Sequence, residues 1–187
     1  MAVIFEEDIR ESSVEDVAKK MMLAARTAPK ARGRDNLVIA LVDKDEIIKI
    51  AAVMQELPGT PSFTKTSFMR DADNILKAEA LFLIGTKIVS LGLDCGLCGF
   101  PTCQEKAKYP KQPCAFNTGD LGIALGSAVS IAMDHRIDNR IMYTVGVAAG
   151  NGHASSLRLL GEDVAICYGV PLSATGKNVF FDRKPVN

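Results

Sequence analysis

Four of the chain's five cysteines fall between positions 95 and 114, in the pattern C-x2-C-x4-C-x10-C, and no other feature restricts the chain as much. Thiols placed this closely can form disulfides, ligate a metal centre or simply pack. The choice depends on the compartment. The opening "MAVIFEEDIRESS" is acidic early and lacks a basic stretch before an apolar block, which argues against a signal peptide. The apolar stretches are short or broken by charge, so no membrane span and no membrane partner are expected. We therefore read a cytoplasmic chain, where clustered cysteines point to metal or redox chemistry rather than to structural disulfides. Lysine plus arginine and aspartate plus glutamate balance at 22 each, with no long basic run, so nucleic acid is not an expected partner.

The spacing separates the metal options. A structural zinc site commonly combines two C-x2-C knuckles, or one knuckle and a histidine pair. Here Cys95 and Cys98 form one knuckle, Cys103 follows closely, and Cys114 comes after ten intervening residues. Three near ligands and one remote ligand suit a cuboidal iron–sulfur body. Gly96 and Gly99 would let backbone amides point at sulfides, and Pro101 and Pro113 fix φ ahead of Cys103 and Cys114. Spacing favours a [4Fe-4S] cluster; zinc, a two-iron cluster and free or redox-active thiols stay open.

Hydrophobic periodicity supplies the frame. Val14, Val17, Ala18, Met21 and Ala25 recur at helical spacing, predicting a helix from Val14 to Ala28 capped by Ser12 or Ser13. "NLVIALV" (36–42) and "ALFLIG" (80–85) read as buried strands, with helices over 45–57 and 70–77. A long helix is expected over 118–136. Its Gly122 and Gly126 each cost about 1 kcal/mol against Ala, which suggests a closely packed neighbour. "IMYTVGV" (141–147) and "DVAICYG" (163–169) read as strands around a short helix starting near His153. Interleaved elements of both kinds, in 187 residues, fit one layered α+β domain over 1–187, with 94–115 inserted as the cluster-binding segment.

Two resemblances follow. "CGLCGFPTC" resembles the small four-iron domain of iron–sulfur subunits of membrane electron-transport complexes and of corrinoid iron–sulfur proteins. Their C-x2-C-G-[YF]-x2-C core and remote fourth cysteine fall on Cys95, Cys98, Cys103 and Cys114, although the last gap is shorter here. "MMLAARTAPKARGRDNLVIALVDKDEIIKIAAVMQEL" resembles the opening of flavin-dependent nitroreductases, "NTGDLGIALGSAVSIAMDH" their central helix and "VAICYGVPLS" their closing strand. The whole chain is most similar to an uncharacterised family of ferredoxin-domain proteins. The resemblance implies a nitroreductase-like fold, a homodimer formed through the central helix, and FMN at its interface. Lys30 and Gly33 stand where nitroreductases carry a flavin-contacting Ser and Asn. The FMN residues implied here are Arg26, Pro29, Lys30 and Arg32, with Lys177 and Arg183 of the tail reaching the phosphate.

From the residues alone, that basic loop is either an anion site or the solvated cap of a helix end. The tail cations are equally an ordinary solvated terminus. "ATGKN" is no P-loop, because six residues instead of four lie between Gly169 and Gly176, and Asn178 replaces the Ser or Thr. "GNGH" reads as a turn, His135 as a partner of a helix end, and Cys167 as a small hydrophobe in a strand. Three functions remain: a flavin-dependent oxidoreductase working through a cluster with an unidentified redox partner, a non-enzymatic electron carrier, and a zinc-stapled interaction protein.

Overall fold

A computed structural model describes residues 3–57 and 65–181. Of the implied FMN residues, Arg183 lies outside the described residues.

The frame is a four-stranded antiparallel sheet, ordered β1-β2-β4-β3, with β1 at Leu37–Val42, β2 at Ala80–Lys87, β3 at Asp138–Asn139 and β4 at Val164–Ser173. The sequence of β2 dictates its central place. Successive side chains of a strand point to opposite faces, and here both faces are apolar. Leu81 and Leu83 face one core, which they share with α2 (Lys44–Glu56), α3 (Lys65–Ile75) and α6 (Tyr143–Ala149). Ala80, Phe82 and Ile84 face the other, shared with α1 (Glu6–Thr27) and α5 (Ala115–Asp134). The chain is thus helix, sheet, helix in three layers. The short α4 (Cys103–Ala107) stands outside this stack, in the cysteine segment.

Helix α1 buries Val14, Val17, Ala18, Met21 and Ala25, as its periodicity requires, but it begins at Glu6 rather than Val14. Neither serine caps it; Ser12 Oγ donates to the Ile9 carbonyl at 3.0 Å, inside the helix. Glu6, Glu7 and Asp8 in the first turn instead offset the positive helix end. Helix α2 starts on Asp43, whose carboxylate accepts from the Glu46 amide at 2.9 Å.

The expected strand over 141–147 is not formed. Met142 keeps one bridge to Gly169, and 143–149 coil into α6. β-Branched and aromatic residues favour a strand locally, but tertiary contacts override them. Val145, Ala148 and Ala149 are spaced to enter the core on one helical face. Thr144 Oγ1 donates at 2.7 Å to the buried Asp71 carboxylate, which also accepts from Arg70. The residues after His153 form turns, not a helix.

A close neighbour was also expected at Gly122 and Gly126. Among the described residues there is none: a Cβ built at either meets nothing within 4 Å. Ile123 and Met133 are exposed on the same helix, so α5 turns a small and apolar stripe outward.

Candidate functional site

The cysteine segment runs from the end of β2 to the start of α5 and has little regular structure besides α4. Its path is set by four left-handed residues, Gly92 (φ +69), Asp94 (+48), Gly96 (+72) and Gly99 (+85). Gly99 donates its amide to the Gly96 carbonyl at 2.9 Å, closing a tight turn around Leu97 and Cys98. That amide is consumed in the turn, not left for a sulfide. Asp94 accepts from the Cys103 amide at 2.6 Å and ties the two ends of the loop together. Thr102 caps α4 by accepting from the Glu105 amide at 3.1 Å, which fixes Cys103 as the first residue of that helix.

Cys114 comes from a different element. It is the N-cap of the twenty-residue α5, where unpaired amides and the helix dipole favour negative charge. Folding brings this remote thiol to the other three. One cavity is lined by Cys95, Cys98, Cys103 and Cys114 together, with Leu91, Phe100, Lys106 and Phe116 completing much of its wall. Cys95 is exposed, Cys98 and Cys103 are half-buried, Cys114 is buried, and all four are free thiols. Among the described residues, no three His, Cys, Asp or Glu side chains are drawn up to hold a metal ion. The thiols therefore share a cavity wall, not a closed coordination sphere.

This donor set fits a thiolate-ligated centre. Soft sulfur ligands without histidine suit iron–sulfur or zinc. Asn117, one turn beyond Cys114, is buried; its side-chain oxygen accepts from the Val89 amide at 2.9 Å, while its Nδ2 has no acceptor among the described residues. The fifth thiol stands apart. Cys167 lies in β4 within the core, and burial pushes it up to about 12, as befits an inert small hydrophobe.

The basic loop is largely occupied with its own fold. Arg26 Nη1 donates to Asp35 Oδ2 at 2.6 Å and to the Leu37 carbonyl at 3.2 Å. Lys30 turns inward and donates to the Ala25 and Arg26 carbonyls, capping the end of α1. Arg32, at φ +57, donates to the Leu91 carbonyl at 2.7 Å and so joins this loop to the cysteine segment. Pro29, Lys30 and Ala31 nevertheless form one wall of an apolar groove whose other walls include Leu97, Phe116, Gly119 and Ile123. Phe116 lines both this groove and the cysteine cavity. Lys177 lies in the turn after β4, where its carbonyl accepts from Thr175 Oγ1 at 2.8 Å.

Two buried polar groups escaped the sequence reading. Asp120 accepts the Ala31 amide on both carboxylate oxygens at 3.1 Å, pinning the Pro29 loop to α5. Lys106, only 4% exposed, enters the cavity wall from α4. For Asp120 a signal was present: Asn117 and Asp120 occupy the helical positions that Leu121 and Ala124 continue into the core.

Asp35 gives the loop a pH dependence. Burial alone would raise its carboxyl, but the Arg26 guanidinium, the Leu37 amide and the Lys30 charge outweigh it and hold the group below the usual carboxylate range. A group depressed in the folded state stabilises above its unfolded pKa, about 3.9, and that stability is lost as pH falls through the lower folded value. Asp35→Asn should therefore be less stable than the parent at neutral pH. The difference should close on acidification below about pH 4, as read by urea melts at several pH values.

Comparison with known proteins now places the chain. Residues 111–183 match the family described as "Uncharacterized protein containing a ferredoxin domain (DUF2148)", a stretch that includes Cys114. An uncharacterized protein of Archaeoglobus fulgidus is 42% identical over 188 residues, covering 96% of this chain and 97% of that protein. Among solved structures, a nitroreductase with bound FMN from Desulfitobacterium hafniense superposes with a TM-score of 0.58 at 17% identity, covering 87% of this chain and 79% of that one. A BluB-like flavoprotein from Clostridium difficile superposes at 0.55 and 17% identity, covering 92% and 84%. At such identity the likeness is one of fold, and the fold is that of the nitroreductases. Matched almost end to end by the archaeal protein, the chain belongs to one family with it, and its C-terminal part, residues 111–183, is similar to the ferredoxin-domain family.

Proposed function

We propose that this chain is a cytoplasmic iron–sulfur redox protein in which Cys95, Cys98, Cys103 and Cys114 hold a [4Fe-4S] cluster. The observation that carries the proposal is the single cavity lined by all four thiols, one of them delivered by a separate helix. When bound, such a cluster supplies one-electron transfer. The chain's own contribution is to gather the thiols, exclude water with Leu91, Phe100 and Phe116, and offer negative charge the N-terminus of α5. Exposure of Cys95 and Leu97 leaves the knuckle accessible to a redox partner. Iron and acid-labile sulfide analysis of anaerobically reconstituted protein tests the reading. About four of each per chain are expected for a cuboidal centre; stoichiometric zinc without sulfide would leave a zinc-stapled interaction protein.

A second reading adds FMN and makes the protein a flavin-dependent oxidoreductase. The FMN held by the Desulfitobacterium nitroreductase and the apolar groove sharing Phe116 with the cysteine cavity favour it. Pro29 and Ala31 would then flank the ring, while Arg26, Lys30 and Arg32 already serve other acceptors. Saturable quenching of FMN fluorescence by the chain supports this reading, and no quenching leaves an electron carrier.

The same reading makes the protein a homodimer through α5. Gly122→Ala tests it. With nothing within 4 Å, the added methyl should stabilise an isolated helix by about 0.5–1 kcal/mol. In a packed dimer it should instead lower both Tm and the dimer fraction seen by light scattering.

A further inference from the structure

Lys106 is a charged residue that the fold hides beside the four thiols. It is 4% exposed, and it projects from α4, the helix that begins with Cys103, into the wall of the four-cysteine cavity. Lysine is almost never fully buried without a counter-charge. Among the described residues no carboxylate supplies one. Glu105, its neighbour on the helix, is engaged by Lys108 at 2.8 Å. Asp94, on the cavity wall, accepts from the Cys103 amide.

Beside Asp94, the four thiols of the same cavity are a source of negative charge once ligation deprotonates them. Resting on the cluster reading above, we infer that Lys106 is the built-in counter-cation of the thiolate-bound centre and sets its reduction potential. Four thiolates around a two-plus core leave the centre with a net charge of two minus. Accepting one electron from a low-potential one-electron donor, with no bond made or broken, takes the core to one plus and the centre to three minus. A fixed positive charge nearby stabilises the reduced form more than the oxidised form, because attraction grows with the charge it faces. Lys106 therefore makes the centre easier to reduce. Its aliphatic stem packs the cavity while its charge does the electrostatic work, and the two roles separate under substitution.

The test is the cluster midpoint potential in full-length holo protein, by dithionite titration followed in the visible and by electron paramagnetic resonance. Lys106→Met keeps the stem and removes the charge; Lys106→Arg keeps the charge. Lys106→Met should lower the reduction equilibrium constant at least tenfold, which is ~59 mV for a one-electron couple, while Lys106→Arg stays near the parent. A Lys106→Met protein with a full cluster and an unchanged potential overturns the inference and leaves the cluster reading intact. If Lys106→Met folds but assembles no cluster, rescue by Lys106→Arg supports the need for charge, and failure of both variants overturns it in favour of packing. Absence of iron and sulfide from the parent protein sinks the cluster reading itself, and the inference with it.

Discussion

Replacing Cys114 with serine is expected to empty the site. Iron and sulfide after reconstitution should fall from about four of each per chain to well below one, because a cuboidal centre needs its fourth thiolate. The expectation rests on position. Cys114 is the one proposed ligand not carried by the Cys95–Cys103 loop, and it is held at the start of α5. A buried serine hydroxyl left without a partner adds about 1–3 kcal/mol of destabilisation, so Cys114→Ala serves as a control for folding. Cys167→Ser is the matched negative: with its thiol in the core and away from the cavity, the cluster absorbance should be unchanged. Full iron and sulfide in Cys114→Ser would remove Cys114 from the ligand set.

The second large effect is on folding. Gly146 lies in α6 against β4, and a Cβ there would stand 1.7 Å from the Cys167 carbonyl oxygen, 2.3 Å from its carbon and 2.9 Å from the Tyr168 Cα. All three are backbone atoms, so no side chain can swing away. Elsewhere in a helix Gly→Ala gains up to about 1 kcal/mol. Here helix and strand must separate, breaking the paired Met142–Gly169 bridge on the way. Gly146→Ala should cost more than about 4 kcal/mol, enough to consume most of a stability of about 5–15 kcal/mol. Urea unfolding by circular dichroism reads it; a midpoint within error of the parent would show that α6 can shift freely.

The same glycine explains what the sequence hid. Strand β2 was legible because a run such as "ALFLI" has no polar face to lose, and α1 because its buried positions recur every three or four residues. "IMYTVGV" carries strand-forming residues, and tertiary contacts, among them the approach of Gly146 to the Cys167 carbonyl and the Thr144–Asp71 bond, favour the helix. Both partners lie far along the chain, beyond any local pattern. The candidate site divides the same way. Three cysteines advertise themselves by spacing, and the cavity unites them with the fourth. Lys106 and Asp120 gain their meaning from burial and from partners on other elements, which spacing does not encode. The basic loop reads in two ways from its residues, as an anion site or as the cap of a helix end. Its cations look available to a ligand in the sequence, whereas Arg26, Lys30 and Arg32 are each bound to acceptors inside the fold.

The division of the thiols between a loop and a helix has a further consequence. From Ile88 to Pro113 the backbone forms no sheet bonds, and α4 is its only helix among the described residues. Its ties to the body are few, among them Arg32 to the Leu91 carbonyl and Val89 to Asn117. Such a segment opens at lower free energy than the layered core. The proposed centre, held at three points on the loop and one on α5, would act as a latch that metallation tightens by mass action. Amide exchange and protease nicking over this segment would then report whether the protein has been charged with its cofactor. A chain that never received such a centre would carry the mark of that failure in this segment, where degradation could begin.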